Sequence, residues 1–156
     1  MTIYLVRHAK AGERSAWKGD DELRPLSSRG NLQARGLIDL LEDATFERVL
    51  SSPYVRCMQS VVPLAAERRM AIEPTDSLAE GATLEDALAL VHKHAAQGAV
   101  MCTHGDVMPM LLEYYGNRGV DIGHAPQWPK GCVWVLETDD ATGDVHTARY
   151  LPPPPG

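Results

Sequence analysis

The stretch Ile3-Tyr4-Leu5-Val6-Arg7-His8 decides the fold. Four apolar residues run together, three of them β-branched or aromatic. They lack the polar alternation of a half-exposed strand, so they describe a strand covered on both faces. The charged pair that follows marks where this strand leaves the interior. Burial on both faces is the habit of parallel sheets flanked by helices, and the rest of the chain is read against that pattern.

Strands and helices do alternate. Ala11 to Pro25 is polar and contains glycine, and reads as a loop. Ser27-Ser28 offer N-caps, and Ala34, Leu37, Ile38 and Leu41 recur at helical spacing. Arg48-Val49-Leu50 is a short strand closed by Ser51-Ser52-Pro53. Ser52 as N-cap and Pro53 at the first helical position predict a helix with Arg56 in its first turn. That helix should run towards Arg69, kinked or interrupted at Pro63. Ala71-Ile72-Glu73 is a further short strand, and Leu84, Ala87, Leu88 and Val91 mark another helix. Ala99-Val100-Met101-Cys102 repeats the fully apolar pattern and ends on Thr103-His104-Gly105. Val107, Met110, Leu111 and Tyr114 then give a helix. Cys132 to Leu136 and Val145 to Tyr150 give two closing strands around a turn at Asp139 to Asp144. The expectation is a three-layer α/β/α sandwich with a mostly parallel central sheet over residues 1–151. A proline-rich tail, 152–156, should lie extended or frayed.

Composition narrows the classes. The 156 residues suffice for one buried core, and 44% apolar with 23% charged residues is the balance of a globular chain. A net charge of -6 argues against broad nucleic-acid or membrane-surface binding, which needs a basic face. No apolar run approaches bilayer length, and the short run at the N-terminus lacks a signal peptide's basic start, so a cytoplasmic location is expected. Cys57, Cys102 and Cys132 are odd in number and widely spaced, which suggests neither a disulfide framework nor a zinc site. Cys102 and Cys132 sit in apolar runs and read as small buried hydrophobes. A cysteine-dependent phosphatase needs arginine six positions after its cysteine, where this chain has Pro63, Met108 or Thr138. Walker A and HExxH sequences are absent.

Ligands of open α/β sheets bind beyond the carboxyl ends of the strands. Three of the expected strands end on Arg7-His8, on Ser51-Ser52-Pro53 with Arg56 one turn later, and on Thr103-His104-Gly105. Parallel strands would bring these points to one edge. Two guanidinium forks and two imidazoles there would repel one another unless an anion lay between them, and the fork matches phosphate oxygens. A helix starting near Gly105 would add backbone N–H donors. The arginines should disfavour the imidazolium of His8, and a carbonyl on its other nitrogen would fix the tautomer. A neutral imidazole can attack phosphorus and form a phosphohistidine for water to hydrolyse. Glu80, in a loop between small residues, is the expected proton donor to the leaving oxygen. Glu13, Asp20, Asp21 and Asp106 are further carboxyls in plausible loops. Each of these residues alone would be unremarkable surface or core chemistry; their shared position at strand ends makes the pattern. His92, His94, His124 and His146 lack that context and read as structural or surface residues.

Leu5-Val6-Arg7-His8-Ala9, Ser51-Ser52-Pro53 through Arg56, and Thr103-His104-Gly105 together resemble the histidine phosphatase superfamily, which includes the phosphoglycerate mutases. Arg24-Pro25-Leu26-Ser27 with Gly30, Gln33 and Ala34 resembles its short bacterial SixA-type phosphohistidine phosphatases. The resemblance implies a phosphoglycerate mutase-like fold and a phosphorylated nucleophile at His8. It implies a phosphate pocket of Arg7, Arg56 and His104, and an acid at Glu80. No cofactor and no metal are implied. The expected partner is a phosphorylated protein or a small phosphorylated metabolite. A mutase-like phosphotransferase and an inactive phosphate-binding module are the competing readings.

Overall fold

A computed structural model describes residues 1–156. Six strands form one sheet in the order β3-β2-β4-β1-β5-β6. They are β1 (Thr2–Arg7), β2 (Arg48–Ser51), β3 (Ile72–Pro74), β4 (Ala99–Thr103), β5 (Val133–Thr138) and β6 (Val145–Leu151). The first four pair in parallel, and β5 and β6 add an antiparallel edge beside β1. Between them run α1 (Ser28–Leu40), α2 (Val55–Arg68), α3 (Leu84–His94) and α4 (Val107–Asn117). The result is the α/β sandwich expected from the sequence.

The pleat sorts β1 between two cores. Ile3 and Leu5 face Met101, Ala87, Val91, Leu111 and Trp134 on the α3–α4 side. Val6 faces Val100, Val133, Leu37 and Leu64 on the α1–α2 side. Successive strand residues point to opposite faces, so a strand covered twice must be apolar throughout.

Three local expectations are corrected. α2 begins at Val55 with Tyr54 at its N-cap, so Ser52 and Pro53 lie before the helix. The Ser52 hydroxyl instead caps a tight turn, accepting from the Tyr54 N–H at 3.2 Å. α2 also runs through Pro63 without a break. Val61, Leu64 and Ala65 are all buried beside the proline, and their packing outweighs the lost backbone bond. In α4 the buried residues are Val107, Met108, Leu111, Leu112 and Tyr115, while Met110 and Tyr114 are only half-buried, so the inward face is rotated from the expected stripe. The tail is extended, one of the two forms expected, and docked. Pro154 is buried, and it lies so close to Gly36 of α1 that a Cβ there would fall 2.5 Å from the proline's own Cβ. No helix is long and apolar enough to cross a membrane.

Candidate active site

The register of the sheet builds the site. Arg7 stands opposite Thr103, and Ser51 opposite Cys102. Both ladders continue one residue past the strands: the His8 N–H donates to the Thr103 carbonyl at 3.0 Å, and the Ser52 N–H to the Cys102 carbonyl at 3.0 Å. Three strand ends therefore stop level. Arg7, His8, Arg56, Glu80 and His104 all line one cleft of about 450 Å³ at that edge.

His8 is 5% exposed. Its Nδ1 lies 2.8 Å from the Ala9 carbonyl, an acceptor only, so Nδ1 carries the proton and Nε2 keeps a free lone pair. Burial pushes its pKa down to about 3, with smaller contributions from His104, Arg56 and Arg7 and an opposing one from the Ala9 carbonyl. The arginines do act in the expected direction, but loss of water is the larger cause.

His104 stacks edge-on to His8 with ring centroids 5.3 Å apart, and Tyr54 packs on it at 4.7 Å. Its Nε2 lies 2.8 Å from the Ser52 hydroxyl and 3.4 Å from the Cys57 thiol. The same Ser52 hydroxyl accepts from the Tyr54 N–H. The other ring nitrogen of His104, Nδ1, is buried with no partner in the protein. Cys57 is as buried as Cys102 and Cys132, but it also touches this histidine.

The two arginines are held from behind. Arg7 Nη1 donates to the Trp128 carbonyl at 2.7 Å, and its guanidinium lies flat against Gly105, where a Cβ would fall 2.5 Å from Nη2. Arg56 is 1% exposed; it donates to the Asp21 carbonyl at 2.8 Å and to the Asp21 carboxylate at 3.1 Å. Asp21 in turn accepts from Arg24 Nε at 3.0 Å. The expected repulsion among cations is thus relieved within the protein, by a carboxylate of the 11–25 loop. The Nε atoms of Arg7 and Arg56 remain buried without partners.

Glu80 reaches the cleft, with Oε1 3.4 Å from Arg14 and 3.7 Å from Arg56. Glu13 and Asp106 line it too, whereas Asp20 and Asp21 do not. Asp106 is committed elsewhere: it accepts from the N–H groups of Val107 and Gly81. Within α4 the first N–H groups are taken, since Val107 N–H is capped by Asp106, Met108 N–H bonds the His104 carbonyl, and residue 109 is proline, while the N–H groups of Gly105 and Asp106 just before it have no partner in the protein.

The sequence reading did not assign Arg14, Arg24, Trp128 or Lys130 to the cleft they line. Lys130 arrives there because the next residue, Gly131, donates to the carbonyls of both Arg7 and His8. That pairing follows from β5 lying antiparallel to β1, a direction no local motif announces.

A family model described as histidine phosphatase superfamily (branch 1) matches residues 3–86. The chain belongs to that superfamily. The match ends before His104, whose place beside His8 rests on the geometry above. An 8-oxo-(d)GTP phosphatase of Mycolicibacterium smegmatis is 36% identical over 163 residues, covering 98% of this chain and 48% of that protein. This histidine phosphatase chain thus spans about half the length of that relative. Among solved structures, the protein histidine phosphatase SixA complexed with tungstate superposes with a TM-score of 0.73 at 17% identity, covering 99% of this chain and 97% of that one. YhfR of Bacillus stearothermophilus gives 0.73 at 19% identity, covering 93% and 94%. At such identities these two likenesses concern the fold.

Proposed function

We propose that this chain is a phosphatase that hydrolyses its substrate through a covalent phosphohistidine on His8, without a metal ion. One observation carries the reading. Arg7, Arg56 and His104, each with a buried nitrogen that has no partner in the protein (Nε, Nε and Nδ1), line the cleft that also holds His8. Buried polar nitrogens are nearly always satisfied, so three residues of this kind at one place favour an acceptor-rich guest, and a phosphoryl group is one.

In the first half-reaction, His8 Nε2 forms a bond to phosphorus as the bond to the leaving oxygen breaks. The guanidiniums and His104 stabilise the charge on the equatorial oxygens. For a phosphate ester the leaving oxygen takes a proton from Glu80. In the second half, water gives a proton back to Glu80 and attacks phosphorus, which releases phosphate and neutral His8. Glu80 is preferred over Asp106 because Asp106 is occupied as a cap, and over Glu13 because Glu80 also touches Arg56. Arg14 is 66% exposed at the rim, so water reaches the cleft, which favours hydrolysis over mutase-like transfer.

The substrate is a protein phosphohistidine or a small phosphorylated metabolite. The relative named as an 8-oxo-(d)GTP phosphatase favours the small molecule. The test compares wild type with His8→Ala on a phosphohistidine protein and an aryl phosphate, in the presence of chelator. Wild type should hydrolyse at least one and yield an acid-labile phosphate on His8 when quenched. Turnover by His8→Ala at the wild-type rate refutes the mechanism, and an inert wild type that still binds phosphate points to a binding module.

A further inference from the structure

One phosphoryl group does not account for this cleft. About 450 Å³ lies within the ~300–1,000 Å³ typical of sites for whole organic ligands. Its walls carry the cations Arg7, Arg14, Arg24, Arg56 and Lys130 against the carboxylates Glu13, Glu80 and Asp106. Arg7 and Arg56 belong to the phosphoryl site. Arg24 is consumed by the Gly12 carbonyl at 2.6 Å and by Asp21. Two cations are left over on the open side.

Lys130 is one. No carboxylate lies within ion-pair distance of its ammonium. Partial burial pushes its pKa down, and the field of Arg7, Arg24 and Arg14 acts in the same direction, while Glu13 opposes them. Its backbone is pinned on both sides, by Gln33 Nε2 on the Lys130 carbonyl at 3.3 Å and by Gly131 on the carbonyls of Arg7 and His8. Arg14 is the other, held only by long contacts of 3.6 Å to Asp21 and 3.4 Å to Glu80. Lys130 is exposed at the cleft among like charges with no acid of its own, an arrangement that a second anion would relieve.

We propose that Lys130, assisted by Arg14, forms a second anion subsite that takes the inner phosphate of a substrate bearing a diphosphate, such as a nucleoside diphosphate. The inference rests on the phosphatase reading for its chemistry and deepens it. The terminal phosphoryl group occupies the Arg7–Arg56–His104 site. Nε2 of His8 bonds to its phosphorus, and the bridging P–O bond breaks with its electron pair on the inner phosphate. That oxygen leaves as an anion next to Lys130 and needs no proton. Water then releases inorganic phosphate and restores neutral His8.

Binding of inorganic pyrophosphate and inorganic phosphate, measured by calorimetry, tests the subsite without requiring turnover. Wild type should bind pyrophosphate at least about tenfold more tightly, the scale of a hydrogen bond to a charged group. Lys130→Gln should lose most of that preference while melting at the wild-type temperature, and Arg14→Gln should lose a smaller part. Equal affinities in wild type, or a preference fully retained in Lys130→Gln, overturn the proposal. Kinetics separate it from the reading beneath it. If wild type prefers pyrophosphate but hydrolyses neither a nucleoside diphosphate nor a monoester, the subsite stands and the phosphatase reading falls. If monoesters are hydrolysed and no preference is found, the phosphatase reading stands and the subsite falls.

Discussion

Gly105→Ala should disable this protein without unfolding it. The new Cβ would lie 2.5 Å from Arg7 Nη2, 2.7 Å from Cζ and 3.0 Å from Nε, so the guanidinium must retreat by roughly an ångström to reach ordinary contact. What gives way is the far end of a flexible side chain, and the cost to folding should stay below about 1 kcal/mol. The retreat breaks the bond of Nη1 to the Trp128 carbonyl and shifts the guanidinium from its place at the cleft. Misplacing a positioning group by about 1 Å costs on the order of 10²-fold in rate, or ~2.7 kcal/mol of barrier. The assay is kcat/KM on an aryl phosphate beside a urea melt. Arg7→Ala supplies the decisive comparison: if both changes act through the same guanidinium, the double variant is no slower than Arg7→Ala alone. Full activity in Gly105→Ala, or losses that multiply, would show that Arg7 does not work from this position.

His8 gives a pH prediction. Its folded pKa of about 3 lies below the ordinary 6.5, so between those values the unfolded chain binds the extra proton and stability falls as pH falls. From pH 7 to 5 this group alone should remove about 2 kcal/mol, and urea melts of His8→Gln should show a correspondingly shallower decline; parallel slopes would contradict the burial argument. Glu80→Gln should slow hydrolysis of alkyl esters by about 10²-fold or more and that of phosphohistidine, whose leaving nitrogen needs little help, by less; equal losses would remove Glu80 from the acid role. Gly30→Ala should destabilise the protein by about 3 kcal/mol or more in the same melts, because the methyl would collide with the Lys10 carbonyl that Ser27 binds twice. A variant of wild-type stability would mean that the α1 entrance is looser than described.

The fold was legible because burial on both faces leaves a mark that polar alternation cannot imitate: residues 3–6 and 99–102 announce themselves as central strands. The placement of Arg7, His8 and His104 was legible for the same reason, since a strand's last residues inherit its position, and Arg56 follows in the first turn of the helix after β2. What resisted reading was whatever depends on partners far along the chain. Ser52 reads locally as a helix cap, yet its hydroxyl holds His104, 52 residues away. Asp21 reads as one loop acid among several, yet it neutralises Arg56. Pro63 reads as a break, because buried neighbours that hold a helix together leave no local signal. Lys130 carries no motif at all, and its place follows only from the direction in which β5 returns.

That return has a consequence for how the molecule comes into being. β1 emerges before the other strands, but its two neighbours in the sheet are drawn from residues 99–103 and 133–138. Until the second of these has left the ribosome, this core strand has a bare hydrogen-bonding edge, the kind of surface that recruits stray chains. Pairings so distant are slow to close, and His8 lies just past the end of that same strand. A nascent fragment therefore lacks the assembled cleft, and the closure that completes the cleft also removes the exposed edge.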